Sequence, residues 1–147
     1  MLVGRWEPGG GIVELPDGRR VRGRGLRAAR HDTLDPEFGV YLTGRAPRVG
    51  DWPHQWVRWR DFRRPDGTPE TVAALREAYE RAATERVEIA CGGGIGRTGT
   101  ALAVLAVMSG VPASDAVAWV RAHYHPHAVE TRGQRRWVSE VAAALID

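Results

Sequence analysis

An internal disulfide bond is excluded, because the 147 residues contain one cysteine, Cys91. Lysine is also absent: all 21 lysine-or-arginine positions are arginine, a usage that indicates a GC-rich bacterial genome. No apolar run is long enough to cross a membrane, and the N-terminal residues lack the apolar core of a signal peptide. With 43% apolar residues, we expect one cytoplasmic domain over residues 1–147 and no membrane partner.

The chain lacks a large excess of either charge, since 21 basic residues stand against 18 acidic ones and the formal net charge is only +3. Arginine is nevertheless concentrated in one segment, which carries five arginines between Arg19 and Arg27 with glycines interleaved. Residues 12–22 have the pattern of a β-hairpin closed by Pro16, Asp17 and Gly18. We interpret the arginines as the solvated edge of this hairpin and expect no nucleic-acid partner.

The rest of the chain alternates between strand and helix patterns, which predicts an α/β fold. A threonine, a proline and an acid at Thr68-Pro69-Glu70 predict a helix start with Thr68 as its cap. The helix after the glycine-rich segment 92–96 is apolar on all sides and is therefore expected to be buried. The predicted strands are 38–43, 55–59 and 87–91. Of the later helices, the first covers TALAVLAVMSG and is ended by Gly110 and Pro112, the second starts at Ser114 or Asp115, and the last runs from about 131 to 146.

The most informative segment is 87–107, VEIACGGGIGRTGTALAVLAV: an apolar strand, a glycine loop and an apolar helix. Glycines allow the loop to turn several backbone N–H groups toward one point. The first turn of the helix adds unpaired N–H donors and a partial positive charge. The loop is therefore expected to bind an anion, and phosphate is the usual ligand of such a site.

Four interpretations of this loop compete. GIGRTG satisfies the dinucleotide pattern G-x-G-x-x-G, with Asp115 as the ribose ligand, but no second strand follows to complete a βαβ unit. CGGGIGRT overlays the nucleotide-binding G-x-x-x-x-G-K-[ST], with Cys91 and Arg97 at two altered positions. A buried, inert cysteine beside a helix cap is the third interpretation. The fourth is C-x5-R-[ST] with a nucleophilic cysteine.

The fourth interpretation accounts for the most residues. Cys91, facing backbone amides, a helix N-terminus and Arg97, is expected to exist largely as a thiolate. The planar Arg97 guanidinium matches two phosphate oxygens, and the Thr98 hydroxyl can cap the helix or donate to the sulfur. The phosphate-binding positions are then Gly92, Gly93, Gly94, Ile95, Gly96 and Arg97.

ACGGGIGRTGT resembles the signature loop of the cysteine-based protein tyrosine phosphatases, HC-x-x-G-x-G-R-[ST]-G, with Ala90 in place of the family's histidine. The resemblance covers residues 55–140 and indicates a compact bacterial member near the dual-specificity class. It implies a central mixed sheet of four to five strands flanked by helices. The signature phosphate loop would connect a central strand to a buried helix.

The resemblance also implies a general acid on a W-P-D-F loop about thirty residues before the cysteine. Trp59-Arg60-Asp61-Phe62 resembles that loop, so Asp61 is the preferred acid, and Asp66 and Asp51 compete with it. AVETRGQ resembles the family segment in which a glutamine positions the hydrolytic water. Gln134 would have that role, although Thr131 and Gln134 equally fit a helix-capping box.

The function implied is hydrolysis of phosphate monoesters, phosphotyrosine in proteins above all, through a phosphocysteine intermediate and without a cofactor or metal. The alternative is a catalytically impaired module that binds phosphotyrosine or another phosphate ligand, a reading motivated by Ala90 and by the arginines around Asp61. His123, His125 and His127 are interpreted as a surface cluster rather than a metal site.

Overall fold

The computed structural model describes residues 5–28 and 34–146. It contains five strands and four helices in the order β1–β4, α1, β5, α2–α4, with a short 3₁₀ turn, Ala113–Asp115, before α3. The strands are β1 (Ile12–Glu14), β2 (Arg20–Gly25), β3 (Phe38–Thr43), β4 (His54–Arg58) and β5 (Val87–Cys91). The helices are α1 (Thr68–Arg81), α2 (Gly96–Met108), α3 (Ala116–His123) and α4 (Arg132–Ile146).

The five strands form one mixed sheet in the order β1-β2-β5-β3-β4. β1 pairs antiparallel with β2, and the other four strands are mutually parallel. Cys91 at the end of β5 pairs with Gly25 at the end of β2, and Thr43 pairs with Arg58 at the ends of β3 and β4. The carboxyl ends of the parallel strands thus meet at one edge, where α/β proteins bind their ligands.

Strand alternation separates an apolar face from a polar face of the sheet. On β5, Val87, Ile89 and Cys91 belong to the hydrophobic core, whereas Glu88 lies on the other face. Helix α2 packs on β5 and on the other three helices, so its residues from Gly96 to Ala106 are all buried. Among the described residues, no helix combines the length and apolar character that crossing a bilayer requires.

The α/β fold class, the hairpin and the buried helix are confirmed, and two local predictions are wrong. The helix cap of α1 is Gly67 rather than Thr68, whose hydroxyl instead accepts a hydrogen bond from the indole of Trp137. The arginine-rich segment is not a solvated edge: β2 lies between β1 and β5 in the sheet, and Arg22 is buried. The residues of β5 that pair with β2 therefore decide what the arginines of β2 contact.

Buried arginines are tolerated on β2 because β5 supplies a carboxylate to them. Glu88 is fully buried and accepts hydrogen bonds from Arg22 Nη2 and from Arg24 Nε, each at 2.6 Å. The Tyr41 hydroxyl of β3 donates to the other Glu88 oxygen at 2.7 Å and accepts from Trp52 Nε1. This network joins three adjacent strands below the edge at which the carboxyl ends of the parallel strands meet. Burial and the Glu88 charge both raise the pKa of Tyr41, so the hydroxyl stays protonated and keeps donating.

Replacing Glu88 by alanine is expected to lower the free energy of unfolding by about 3–5 kcal/mol, because it removes the carboxylate that two arginines share inside the fold. Urea denaturation followed by tryptophan fluorescence measures the change. Glu14→Ala is the control: it removes an exposed partner of Arg20 and should change stability by about 0–1 kcal/mol. Equal effects of the two substitutions would contradict this account of the network.

Candidate active site

The loop after β5 encloses the sulfur of Cys91. The backbone N–H of Gly94 donates to Cys91 Sγ at 3.1 Å, and the side chain is only 2% exposed. The first hydrogen bond of α2 runs from Gly99 N to Ile95 O, which leaves the N–H groups of the first helical turn without helical acceptors. The Cys91 sulfur and the N-terminus of α2 therefore lie in one electropositive site.

The shape of the loop depends on glycine at two places where backbones approach closely. Gly94 has φ +78°, and a Cβ at this position would overlap the Gly25 backbone nitrogen. A Cβ at Gly25 would in turn lie 2.6 Å from Gly93 O. A side chain at either position would push the loop away from the end of β2.

Arg97 extends from the first turn of α2 and is 5% exposed. Its Nη1 donates to Trp59 O at 3.0 Å and to Leu42 O at 3.2 Å, which orients the guanidinium plane. Its Nε is buried without a hydrogen bond and lies 3.5 Å from Asp61 Oδ1. The guanidinium therefore retains a buried donor next to the Asp61 carboxylate.

Asp61 lies three residues beyond the end of β4, and its side chain is 42% exposed. The Phe62 N–H donates to Asp61 Oδ1 at 3.0 Å, and Phe62 has φ +62°, an uncommon value for an aromatic residue. Trp59, which is buried and packs edge-on against Trp137, donates its indole N–H to Arg63 O. The loop that carries Asp61 is thus anchored at both ends.

The competing acids lie elsewhere. Asp66 is 3.5 Å from Arg58 Nε and 3.7 Å from Arg60 Nε, in exposed ion pairs. Asp51 precedes β4 and therefore lies toward the amino end of the parallel strands, away from Cys91. Of the three aspartates, Asp61 is the one whose carboxylate contacts Arg97.

The structure shows the capping contacts expected for Gln134 and neither of the two contacts expected for Thr98. Gln134 is fully buried: its Oε1 accepts from Glu130 N and Thr131 N, and its Nε2 donates to Arg63 O at 3.1 Å. Because Gln134 N also donates to Thr131 Oγ1, these two residues form a capping box. The Thr98 hydroxyl neither caps α2 nor bonds the sulfur; it is buried without a partner among the described residues.

Sequence reasoning missed Glu130 and Tyr124. The Glu130 carboxylate lies against Gly96, where a Cβ would overlap it. The Tyr124 hydroxyl donates to Gly94 O, and burial together with the Cys91 charge raises the pKa of Tyr124, so it remains a donor. No signal in the sequence indicated either contact, because both residues reach the loop only through the packing of α2 against the segment after α3.

The histidines at positions 123, 125 and 127 are partly or fully exposed. Within residues 5–28 and 34–146, no group of three or more histidine, cysteine or acidic side chains is arranged to hold a metal ion. The rings of His125 and His127 lie 5.6 Å apart, and His123 stacks on Trp119.

A family model described as "Swiss Army Knife protein, DSP-PTPase phosphatase domain" matches residues 63–143. The chain belongs to this family. The match covers the cysteine loop, helices α1 to α3, most of α4 and the end of the loop that carries Asp61. A search of curated proteins finds no match.

Solved structures agree with this assignment. Tk-PTP in its active form is 27% identical with a TM-score of 0.62, and the alignment covers 74% of this chain and 80% of Tk-PTP. DUSP15 is 16% identical with a TM-score of 0.66 and coverage of 93% and 90%, which shows the shared fold. PTPN18, solved with HER2-pY1196 phosphopeptides, is 25% identical with a TM-score of 0.50 and coverage of 63% and 35%.

Gly94→Ala should abolish oxyanion binding, because a side chain at φ +78° is strained and overlaps β2. Gly93→Ala is the matched control: a Cβ there meets only Arg27 Nη1, at 4.0 Å. Isothermal titration with vanadate should show loss of binding in the first variant and a change of less than about threefold in the second. Retention of binding by Gly94→Ala would show that the loop does not need the observed conformation.

Proposed function

We propose that residues 1–147 form one phosphatase domain that hydrolyses phosphate monoesters, phosphotyrosine in proteins first, through a phosphocysteine intermediate. One observation carries the proposal: Arg97 Nε, a buried donor without a hydrogen bond, lies 3.5 Å from Asp61 at the mouth of the loop that encloses Cys91. A nucleophile, an anion clamp and an acid thereby converge from β5, α2 and the loop after β4. The catalytic thiol needs a reducing compartment, which supports the cytoplasm as the location.

In the first step, the Cys91 thiolate attacks phosphorus in line with the ester oxygen. The S–P bond forms as the P–O bond to the phenol breaks, and Asp61 transfers its proton to the departing oxygen. Arg97 and the inward N–H groups of the loop stabilise the equatorial oxygens. The ester replaces Asp61 as the partner of the Arg97 guanidinium, which leaves Asp61 beside the leaving oxygen.

In the second step, water attacks phosphorus, Asp61 accepts a proton from it, and the S–P bond breaks to release phosphate and the thiolate. Gln134 contributes to this step by holding the acid loop through the Arg63 carbonyl, since its own amide oxygen already accepts two N–H groups. In the segment between α3 and α4, the Glu130 side chain lies against Gly96 of the phosphate loop.

An aryl ester fits the surface beside Asp61. Phe62 is 60% exposed and lines an open cavity of about 480 Å³ together with Val129 and Glu130. An exposed aromatic ring adjacent to the acid offers a contact for the phenol ring of the substrate. The phosphopeptides bound by PTPN18 support the same class of partner for this domain.

The alternative function is a module that binds phosphotyrosine without hydrolysing it. It is favoured by Ala90, which is fully buried where the signature pattern has histidine, and by the ion pair between Asp61 and Arg97. Such a module would use the same loop and the same ligand class, so turnover is the measurement that separates the two functions.

Cys91→Ser should abolish hydrolysis of p-nitrophenyl phosphate while retaining phosphotyrosine binding, because the loop amides and Arg97 remain. The assay is run with EDTA present, so that a contaminating metal-dependent phosphatase is inactive. Binding without turnover in the unmodified protein would support the alternative module. Turnover that persists in Cys91→Ser would refute the phosphocysteine mechanism.

Asp61→Asn should lower kcat for phenyl phosphate by about 10²- to 10⁴-fold, because the leaving phenolate loses its proton donor. The loss should be smaller for p-nitrophenyl phosphate, whose phenolate needs less assistance. Asp66→Asn, which removes an exposed partner of Arg58 and Arg60, should leave kcat within about twofold. A larger loss from Asp66→Asn than from Asp61→Asn would reverse the assignment of the acid.

A further inference from the structure

The chain beyond β2 continues to follow the phosphate loop. Leu26 N donates to Cys91 O at 2.8 Å, and Arg27 N donates to Gly92 O at 3.1 Å. These two bonds extend the pairing of β2 with β5 past the ends of both strands. They fix the backbone of Arg27 beside the residue that follows the nucleophile.

The Arg27 side chain lies over Gly92. A Cβ at Gly92 would be 2.8 Å from Arg27 Nη2, 3.0 Å from Cζ and 3.3 Å from Nε, so the guanidinium occupies the space that a side chain at this loop position would take. Arg27 thus brings to the loop a positive charge that the residues Gly92, Gly93 and Gly94 do not carry themselves.

Arg27 differs from the other arginines of the hairpin. It is exposed and makes no hydrogen bond or ion pair through its guanidinium to any part of the chain that the structure describes. The others are paired: Arg19 with Asp17, Arg20 with Glu14, and Arg22 and Arg24 with Glu88. A guanidinium that rests on an anion-binding loop and has all its N–H groups available is suited to bind a second anion.

We propose that Arg27 binds a second anionic group of the substrate, a carboxylate or phosphate held beside the phosphate that Cys91 attacks. This inference rests on the proposed function, in which Arg97 holds the reacting phosphate. Arg97 is oriented by the carbonyls of Leu42 and Trp59, so it cannot turn toward a second group. Arg27 therefore selects among phosphate monoesters, because an aryl phosphate without a second anionic group leaves the Arg27 guanidinium without an anionic partner.

The test compares 3-carboxyphenyl phosphate with 3-carbamoylphenyl phosphate, which has the same shape without the charge. The unmodified protein should show a KM about 5- to 10-fold lower for the carboxylate, which corresponds to one charge-assisted hydrogen bond of partly exposed groups. Arg27→Gln should remove that preference and leave kcat for both substrates within about twofold. The preference should also shrink in 0.5 M NaCl, because salt screens exposed charges.

Arg76→Gln is the matched control, since it removes the same charge from an exposed position within α1. It should retain the preference for the carboxylate. If Arg27→Gln changed KM for the two substrates equally, or if Arg76→Gln had the same effect, Arg27 would be acting through overall charge and the inference would be overturned.

Two further arms distinguish the source of the second anion. The first compares phenyl phosphate with 1,3-phenylene bisphosphate, and the second compares phosphotyrosine peptides with glutamate or glutamine next to the phosphotyrosine. An Arg27-dependent preference in the first arm assigns a bisphosphorylated substrate, and one in the second assigns an acidic peptide. Absence of the preference in these arms and for the carboxylate refutes the proposal.

Failure of this inference can be told apart from failure of the proposed function. Binding of 3-carboxyphenyl phosphate and of its carbamoyl analogue to Cys91→Ser, measured by isothermal titration, reports on Arg27 without turnover. If the unmodified protein has no hydrolytic activity but this experiment shows a preference that depends on Arg27, the Arg27 subsite is supported and the proposed hydrolysis is refuted. Hydrolysis that requires Cys91 but shows no Arg27-dependent preference would support the proposed hydrolysis and refute the Arg27 subsite.

Discussion

The close approach of two backbones, at Gly25 of β2 and Gly94 of the phosphate loop, is the constraint on which the site depends. Neither position accepts a side chain, and Gly94 also needs a positive φ. With the loop seated on the end of β2, the Gly94 N–H reaches Cys91 Sγ, and the Gly94 carbonyl accepts the Tyr124 hydroxyl. The backbone of Gly94 therefore bonds the sulfur through its N–H group and anchors the loop to Tyr124 through its carbonyl oxygen.

The partner of each arginine around this loop depends on where the residue lies along β2 or α2. On β2, Arg22 and Arg24 share the buried carboxylate of Glu88, so their charges stabilise the sheet. Arg27 lies beyond the end of the same strand, past the reach of that carboxylate, and contacts the loop. Arg97 approaches from α2 and is held by two backbone carbonyls. The same residue type thus serves the core, the rim of the loop and, in the proposed function, the binding of the reacting phosphate, because position along β2 or α2 decides its partner.

Much of the fold was predictable, because local patterns along the chain carry it. The short apolar strand at 38–43 and the uniformly apolar helix after the loop need no distant partner to be recognised. The cap of α1 was misplaced by one residue, since Thr68 bonds Trp137 from a different helix. The arginine-rich strand was misjudged for a related reason: its central place in the sheet follows from pairing with β5, which lies more than sixty residues away in the chain.

The sequence by itself determined the residues on which the proposed chemistry of the loop rests: a cysteine, five intervening positions rich in glycine, an arginine and a helix start. It could do so because these residues are contiguous, and contiguous residues share one local geometry. Only the tertiary structure decided which distant side chains join them: Asp61 beside Arg97, Glu130 against Gly96, and Arg27 over Gly92. Those contacts depend on strand order and helix packing, and an isolated sequence segment contains no record of either.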